Sequence, residues 1–134
     1  MDATRPICEG LFTMDDSPRL LAARCAACRA LHFPASDTCP YCGGAAATEP
    51  LGPHGTLRLF TVVRTAPPGY RGPVPYGFGV VEITGTGLCV LSRLGENDLT
   101  RLRPGLRLRL EIAPLFVDDD GRSVTSWSFV PEDA

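Results

Sequence analysis

Residues 25–44 read CAACRALHFPASDTCPYCGG and carry four of the six cysteines in this 134-residue chain. Two Cys-x-x-Cys pairs, Cys25 with Cys28 and Cys39 with Cys42, stand ten residues apart. Each such turn lets two thiolates converge on one ion while backbone amides point at the sulfurs, and two turns together complete a tetrahedral four-sulfur site. Gly43 and Gly44 suit the tight backbone behind the second pair. The spacer is shorter than the about 15–20 residues common between paired Cys-x-x-Cys turns. That predicts a compact metal ribbon over residues 25–48.

Zinc is the first expectation for the ion. The string CPYCGG also resembles a rubredoxin knuckle, so iron is the competitor, and a red rather than colourless protein would decide for iron. Four cysteine ligands leave the metal no open position for water or substrate. They predict a structural Zn2+ that supplies folding energy to a piece too small for a core of its own. His32 lies between the pairs and is read as a surface or packing histidine, because four sulfurs already suffice.

Upstream, residues 1–16 show no clear period. SPRLLAARC (17–25) then carries a helix-start signal: Ser17 as N-cap, Pro18 at the first helical position, Leu20 and Leu21 to bury. One or two helical turns are expected within an N-terminal segment 1–24. EGLFTMDD (9–16) holds Leu11, Phe12 and Met14 without periodic support. These side chains either fold back on the ribbon or dock on a partner, with Leu11 and Phe12 the candidate docking residues.

Downstream, GGAAATEPLGPHG (43–55) reads as a linker, and from Gly55 the pattern turns to period two. TLRLFTVVRT (56–65) sets Leu57, Leu59, Thr61 and Val63 on one face. FGVVEI (78–83) and LCVLSRL (88–94) are split by the turn TGTG. LRLRLEI (106–112) alternates Leu106, Leu108, Leu110 and Ile112 with Arg107, Arg109 and Glu111. SVTSWSFV (123–130) follows a DDDG turn, and GENDLTRLRPG (95–105) is a short helical or turn segment. Five strands with a short helix between the third and fourth are the plan of an OB-fold. The expected fold is therefore mainly β: a rubredoxin-like zinc ribbon followed by a five-stranded OB-fold barrel over 49–134.

Composition narrows the function. All 13 basic residues are arginine, which removes Schiff-base chemistry on lysine and a P-loop lysine. A formal net charge of -2 without a basic tail argues against a nucleic-acid binder. Arg58, Phe60 and Arg64 would share one face of the first barrel strand, as single-strand binding requires, but Asp118, Asp119 and Asp120 oppose it. The sequence has no apolar run long enough for a membrane span and its start lacks a signal-peptide core, so a cytoplasmic location is expected. Paired cysteines there bind metal more often than they form disulfides.

No catalytic set emerges. Cys89 sits in an expected strand, its only candidate bases are His32 and His54, and it is read as a core cysteine; Cys8 is a plain thiol. The most unusual stretch is TAPPGYRGPVPYG (65–77), far longer than a strand turn needs and rich in proline, glycine and tyrosine. It is either a rigid connector or a contact surface, with Arg71 suited to a phosphate and Tyr70 to stacking or lining an acyl pocket.

Taken together, LFTMDDSPRLLAARCAAC, FPASDTCPYCGG, GTLRLFTVVRTAPPGY, PVPYGFGVVEI and RPGLRLRL resemble the small zinc-ribbon/OB-fold proteins that accompany thiolases, thiolase-like aldolases, acetyltransferases and acyl-CoA hydratases. The resemblance implies that Cys25, Cys28, Cys39 and Cys42 hold structural zinc, and that the barrel binds CoA or helps a partner bind it. Pro67, Tyr70, Arg71 and Tyr76 are its candidate CoA- or partner-binding residues. In this family the active-site residues generally belong to the partner. The expectation is thus a non-catalytic subunit of a hetero-oligomer with a thiolase-like enzyme that makes or breaks a carbon–carbon bond, with acyl-CoA at or near the interface. The alternatives are a free-standing acyl-CoA-binding module, a single-strand nucleic-acid binder and a rubredoxin-like electron carrier.

Overall fold

A computed structural model describes residues 4–132. Its strands are β1 (Thr4–Pro6), β2 (Leu21–Cys25), β3 (Leu31–His32), β4 (Ala46–Pro50), β5 (His54–Val63), β6 (Tyr76–Ile83), β7 (Cys89–Leu94), β8 (Arg107–Val117) and β9 (Ser123–Pro131). The last five close a barrel in the order β5-β6-β7-β9-β8, with β8 returning to β5. Every barrel pairing is antiparallel except β7 with β9, which share the single bridge Leu94–Phe129. This is the expected OB-fold, and its five strands lie where alternation placed them.

The physical signals behind the barrel are visible locally. On β8, Leu108 and Leu110 are buried while Arg107 is exposed, and Ile112 packs against the core. The β6–β7 turn bends at Gly85 and Gly87, both at positive φ, as left-handed turn positions favour. Before β9, Asp118 accepts the N–H groups of Asp120 and Arg122 at 3.0 and 2.9 Å, so its side chain closes the turn. A single 3-10 turn, Leu99–Arg101, lies between β7 and β8 and is capped by Asp98.

Three expectations need correction. The helix expected before the cysteines is strand β2. It is the middle of a three-stranded sheet β3-β2-β4, and Ala22 and Ala23 are both fully buried. The capping signal serves a turn instead: the Asp15 carboxylate accepts the Ser17 N–H, and the chain reverses so that Phe12 bridges Leu20. Pairing on both edges outweighs a local propensity of a few tenths of a kcal/mol per residue, roughly. Second, Ala46–Pro50 of the expected linker is strand β4, paired with β2 from Leu21–Pro50 to Cys25–Ala46. The Arg24 guanidinium clasps Glu49 across this pair at 2.8 and 2.9 Å.

Third, β5 does not keep one face. Leu57 pairs with Val81 and Leu59 with Val80, so Arg58 is an extra residue in a bulge. A bulge shifts side-chain phase by one. Leu57 is fully buried, Leu59 is 67% exposed, and Phe60 and Val62 take over the inward side. The basic–aromatic face of Arg58, Phe60 and Arg64 is thereby broken: Phe60 packs against the core and Arg58 pairs with Glu82 at 2.7 Å.

Ribbon and barrel share one core. Phe12, Leu20, Ala22 and Leu51 join Leu57, Val81, Ile83, Leu108 and Phe129 in a single buried cluster. Phe12 therefore folds back and is only 6% exposed, whereas Leu11 is half-buried and Met14 exposed. Of the two docking candidates, Phe12 offers no free surface.

Candidate functional site

The two cysteine turns repeat one geometry. In the first, the Arg29 N–H donates to the Cys25 carbonyl at 3.1 Å and the Cys25 N–H to the Ala30 carbonyl at 2.9 Å. In the second, the Gly43 N–H donates to Cys39 at 3.0 Å and the Cys39 N–H to Gly44 at 2.8 Å. The residue after each pair is left-handed, with φ 66° at Arg29 and 79° at Gly43. Arg29 pays a steric penalty that glycine avoids, and the Arg24 guanidinium holds its carbonyl at 2.9 Å. A Cβ on Gly44 would stand 3.2 Å from the Cys25 sulfur and 3.4 Å from that of Cys42, so glycine there leaves the sulfurs room.

All four sulfurs lie within 4.8 Å of one another, with Cys25–Cys42 at 3.5 Å and Cys28–Cys39 at 3.7 Å. Zn–S bonds of about 2.3 Å in a tetrahedron require sulfurs about 3.8 Å apart, so the set fits a four-coordinate zinc. Backbone N–H groups of Ala27 and Cys28 point at the Cys25 sulfur at 3.3 Å, and that of Tyr41 at the Cys39 sulfur at 3.4 Å. The Cys28 amide is the main reason Cys25 drops to about 6. Burial works against ionisation of Cys39, yet the Tyr41 and Cys42 amides still leave it lowered. Cys28 goes the other way, to about 11: the Ala30 amide pulls it down, but the Cys42 sulfur, burial and the sulfurs of Cys25 and Cys39 together outweigh that. Four crowded thiolates need a cation between them.

His32 is the packing histidine expected. It is buried, and its Nε2 meets the Ser36 hydroxyl at 2.8 Å. That hydroxyl spends its proton on the Thr38 carbonyl at 2.7 Å, so the histidine Nε2–H must be the donor. Cys89 corrects another expectation: it is exposed. Val90 and Leu94 face the core, and the phase of β7 turns Cys89, Leu91 and Arg93 outward. In a run as apolar as LCVL, composition does not reveal the phase.

The 65–77 loop is braced internally. The Tyr70 N–H closes a turn on the Pro67 carbonyl at 3.0 Å, and its hydroxyl donates to the Pro73 carbonyl at 2.8 Å. The Tyr70 and Tyr76 rings lie 4.7 Å apart, tilted by 36°, and Tyr76 is only 9% exposed. Arg71 reaches away from this pair, to Asp119 at 3.3 Å and over the Phe116 ring at 4.8 Å. The structure thus brings Pro67, Tyr70 and Tyr76 together and separates Arg71 from them. The cation beside the tyrosines is Arg93, 5.3 Å over the Tyr76 ring, a residue that sequence reading passed over. The alternation in LSRL was its one signal.

Two family models match the sequence: the ChsH2 rubredoxin-like zinc ribbon domain over residues 13–49 and the ChsH2 C-terminal OB-fold domain over residues 48–113. The chain belongs to this ChsH2 zinc-ribbon/OB-fold family. Among solved structures it is similar to a chain of one described as "Ltp2-ChsH2(DUF35) aldolase", at 26% identity and a TM-score of 0.65, covering 84% of each chain. No curated protein matches the sequence. With the family's ribbon and the sulfur geometry together, the four cysteines form a structural zinc site. No helix among the described residues is long and apolar enough to cross a membrane.

Proposed function

We propose that this chain is a non-catalytic auxiliary subunit of a thiolase-superfamily enzyme that cleaves or forms a carbon–carbon bond in an acyl-CoA, by thiolysis or retro-aldol chemistry. The observation that carries the reading is the likeness to the ChsH2(DUF35) aldolase chain, which runs over 84% of both chains and so includes ribbon and barrel alike. The zinc centre fits a supporting role, since four thiolates close the coordination sphere and leave no site for substrate. The zinc ribbon and the reversed N-terminal segment present the docking side, with Leu11 at its half-buried margin. The braced loop at Pro67, Tyr70 and Tyr76 borders the CoA ester, and Arg71 stiffens that loop through Asp119 and Phe116.

Affinity purification of the tagged chain from its native cell tests the assembly. A thiolase-fold enzyme recovered in a fixed ratio supports the reading; a chain that elutes alone at its own mass, with none of that enzyme, contradicts it.

A further inference from the structure

Strand β9 offers one edge to two partners. β1 takes its beginning, where the Ile7 N–H donates to the Thr125 carbonyl, and β7 takes its end, where the Gly95 N–H donates to the Phe129 carbonyl, both at 2.8 Å. Between these points β7 and β9 diverge, and a cavity of about 400 Å³ opens, within the range of small-molecule sites. Its wall is apolar: Ile7, Leu11, Phe78, Leu91, Leu115 and Trp127. Among the described residues no carboxylate lines it, and Arg93 is its lone cation. The Ser92 and Tyr70 hydroxyls at its wall already donate to the carbonyls of Arg93 and Pro73, at 2.8 Å each. By contrast the Arg93 Nε and Trp127 Nε1 are buried and have no hydrogen-bond partner among the described residues. A buried donor without an acceptor costs about 1–3 kcal/mol, and an all-hydrocarbon guest would leave the Arg93 Nε unpaired.

Arg93 also lines a second, more polar groove of about 310 Å³ formed with Pro73, Val74, Tyr76 and Asn97. The paired Tyr70 and Tyr76 rings stand at the divide, Tyr70 on the first cavity and Tyr76 on the second. An apolar chamber, a guanidinium at its border whose Nε has no hydrogen-bond partner among the described residues, and a polar exit describe a guest with a hydrocarbon body, an oxygen acceptor and a polar continuation.

We propose that the chamber between β7 and β9 binds an acyl chain, with its carbonyl or carboxylate oxygen at Arg93 and whatever the carbonyl carries leaving along the Pro73–Tyr76 groove. The choice of an acyl group rests on the acyl-CoA reading above; the place and polarity come from the walls. A free fatty acid and an acyl thioester share this chemistry, and the guest's head group separates them.

Trp127 is the chain's single tryptophan and lines the chamber, so its emission reports occupancy. The full zinc-loaded chain is titrated with decanoyl-CoA, decanoate, CoA alone and decyltrimethylammonium, below micelle-forming concentrations. Decanoyl-CoA shifts the emission saturably and more tightly than decanoate, while CoA alone and the ammonium amphiphile do not. Arg93→Leu weakens decanoyl-CoA binding about tenfold or more, the worth of a charge-assisted hydrogen bond. Arg103→Leu, which removes an exposed arginine outside the cavity, leaves binding unchanged. No saturable shift with decanoyl-CoA, equal binding of the ammonium amphiphile, or unaltered affinity in Arg93→Leu overturns the proposal. Decanoate binding tighter than decanoyl-CoA overturns the polar exit. Assembly with a thiolase-fold enzyme is scored separately by purification, so a chain that assembles but binds no decanoyl ligand fails here alone.

Discussion

Replacing Phe12 with alanine separates a side chain that holds the fold from one that waits for a partner. Phe12 is 6% exposed and its ring lies 6.1 Å from that of Trp127, which Phe33 meets edge-on from 5.9 Å. It belongs to the cluster that joins the N-terminal segment and ribbon to the barrel. Buried Phe→Ala changes cost about 3–5 kcal/mol, and Phe12 belongs at the lower end because the N-terminal reversal can partly collapse. For 134 residues the unfolding entropy is about 0.28 kcal/mol per kelvin, so about 3 kcal/mol lowers Tm by about 11 °C. Calorimetry measures that shift, and Trp127 emission should move to the red as its ring loses cover. A Tm within about 2 °C of the parent and unchanged emission would refute the packing argument and return Phe12 to the docking surface.

Other outcomes follow from the same contacts. Cys39→Ser, at a buried ligand, should cut zinc content well below about one ion per chain, while Cys89→Ser leaves it unchanged, as atomic absorption would show. Leu57→Ala should cost about 2–5 kcal/mol in denaturant melts, and Leu59→Ala under about 0.5 kcal/mol, because the bulge puts only Leu57 in the core. Arg5, 2.7 Å from Asp118, and then the Arg122 amide hold the Asp118 carboxyl below its ordinary range. The stability this gives is complete above about pH 4 and lost as pH falls through the folded value, so the Tm deficit of Asp118→Asn at pH 7 should close in acid.

The metal centre was legible because each Cys-x-x-Cys turn brings two thiolates to one ion, so that Cys25, Cys28, Cys39 and Cys42 together fill a four-coordinate site. The barrel was legible wherever polar and apolar residues alternate, as in LRLRLEI. What local pattern does not carry is pairing. Ser17-Pro18 signals a helix start, but the following residues gain two neighbouring strands instead. AATEP has no strand composition and is a strand because β2 needs its second edge. The bulge at Arg58 leaves no mark in TLRLFTVV, so the strand was recognised and half its faces were reversed. Arg71 was singled out for its unusual loop, whereas Arg93 owes its position to a gap between strands that are distant in sequence.

The subunit assignment is tested most directly by reconstitution. The thiolase-fold enzyme that co-purifies is assayed for carbon–carbon cleavage of its acyl-CoA with and without the zinc-loaded chain. The account predicts that activity or acyl-CoA affinity falls when the chain is withheld and returns at a fixed ratio when it is restored. Unchanged turnover and affinity in its absence would contradict it.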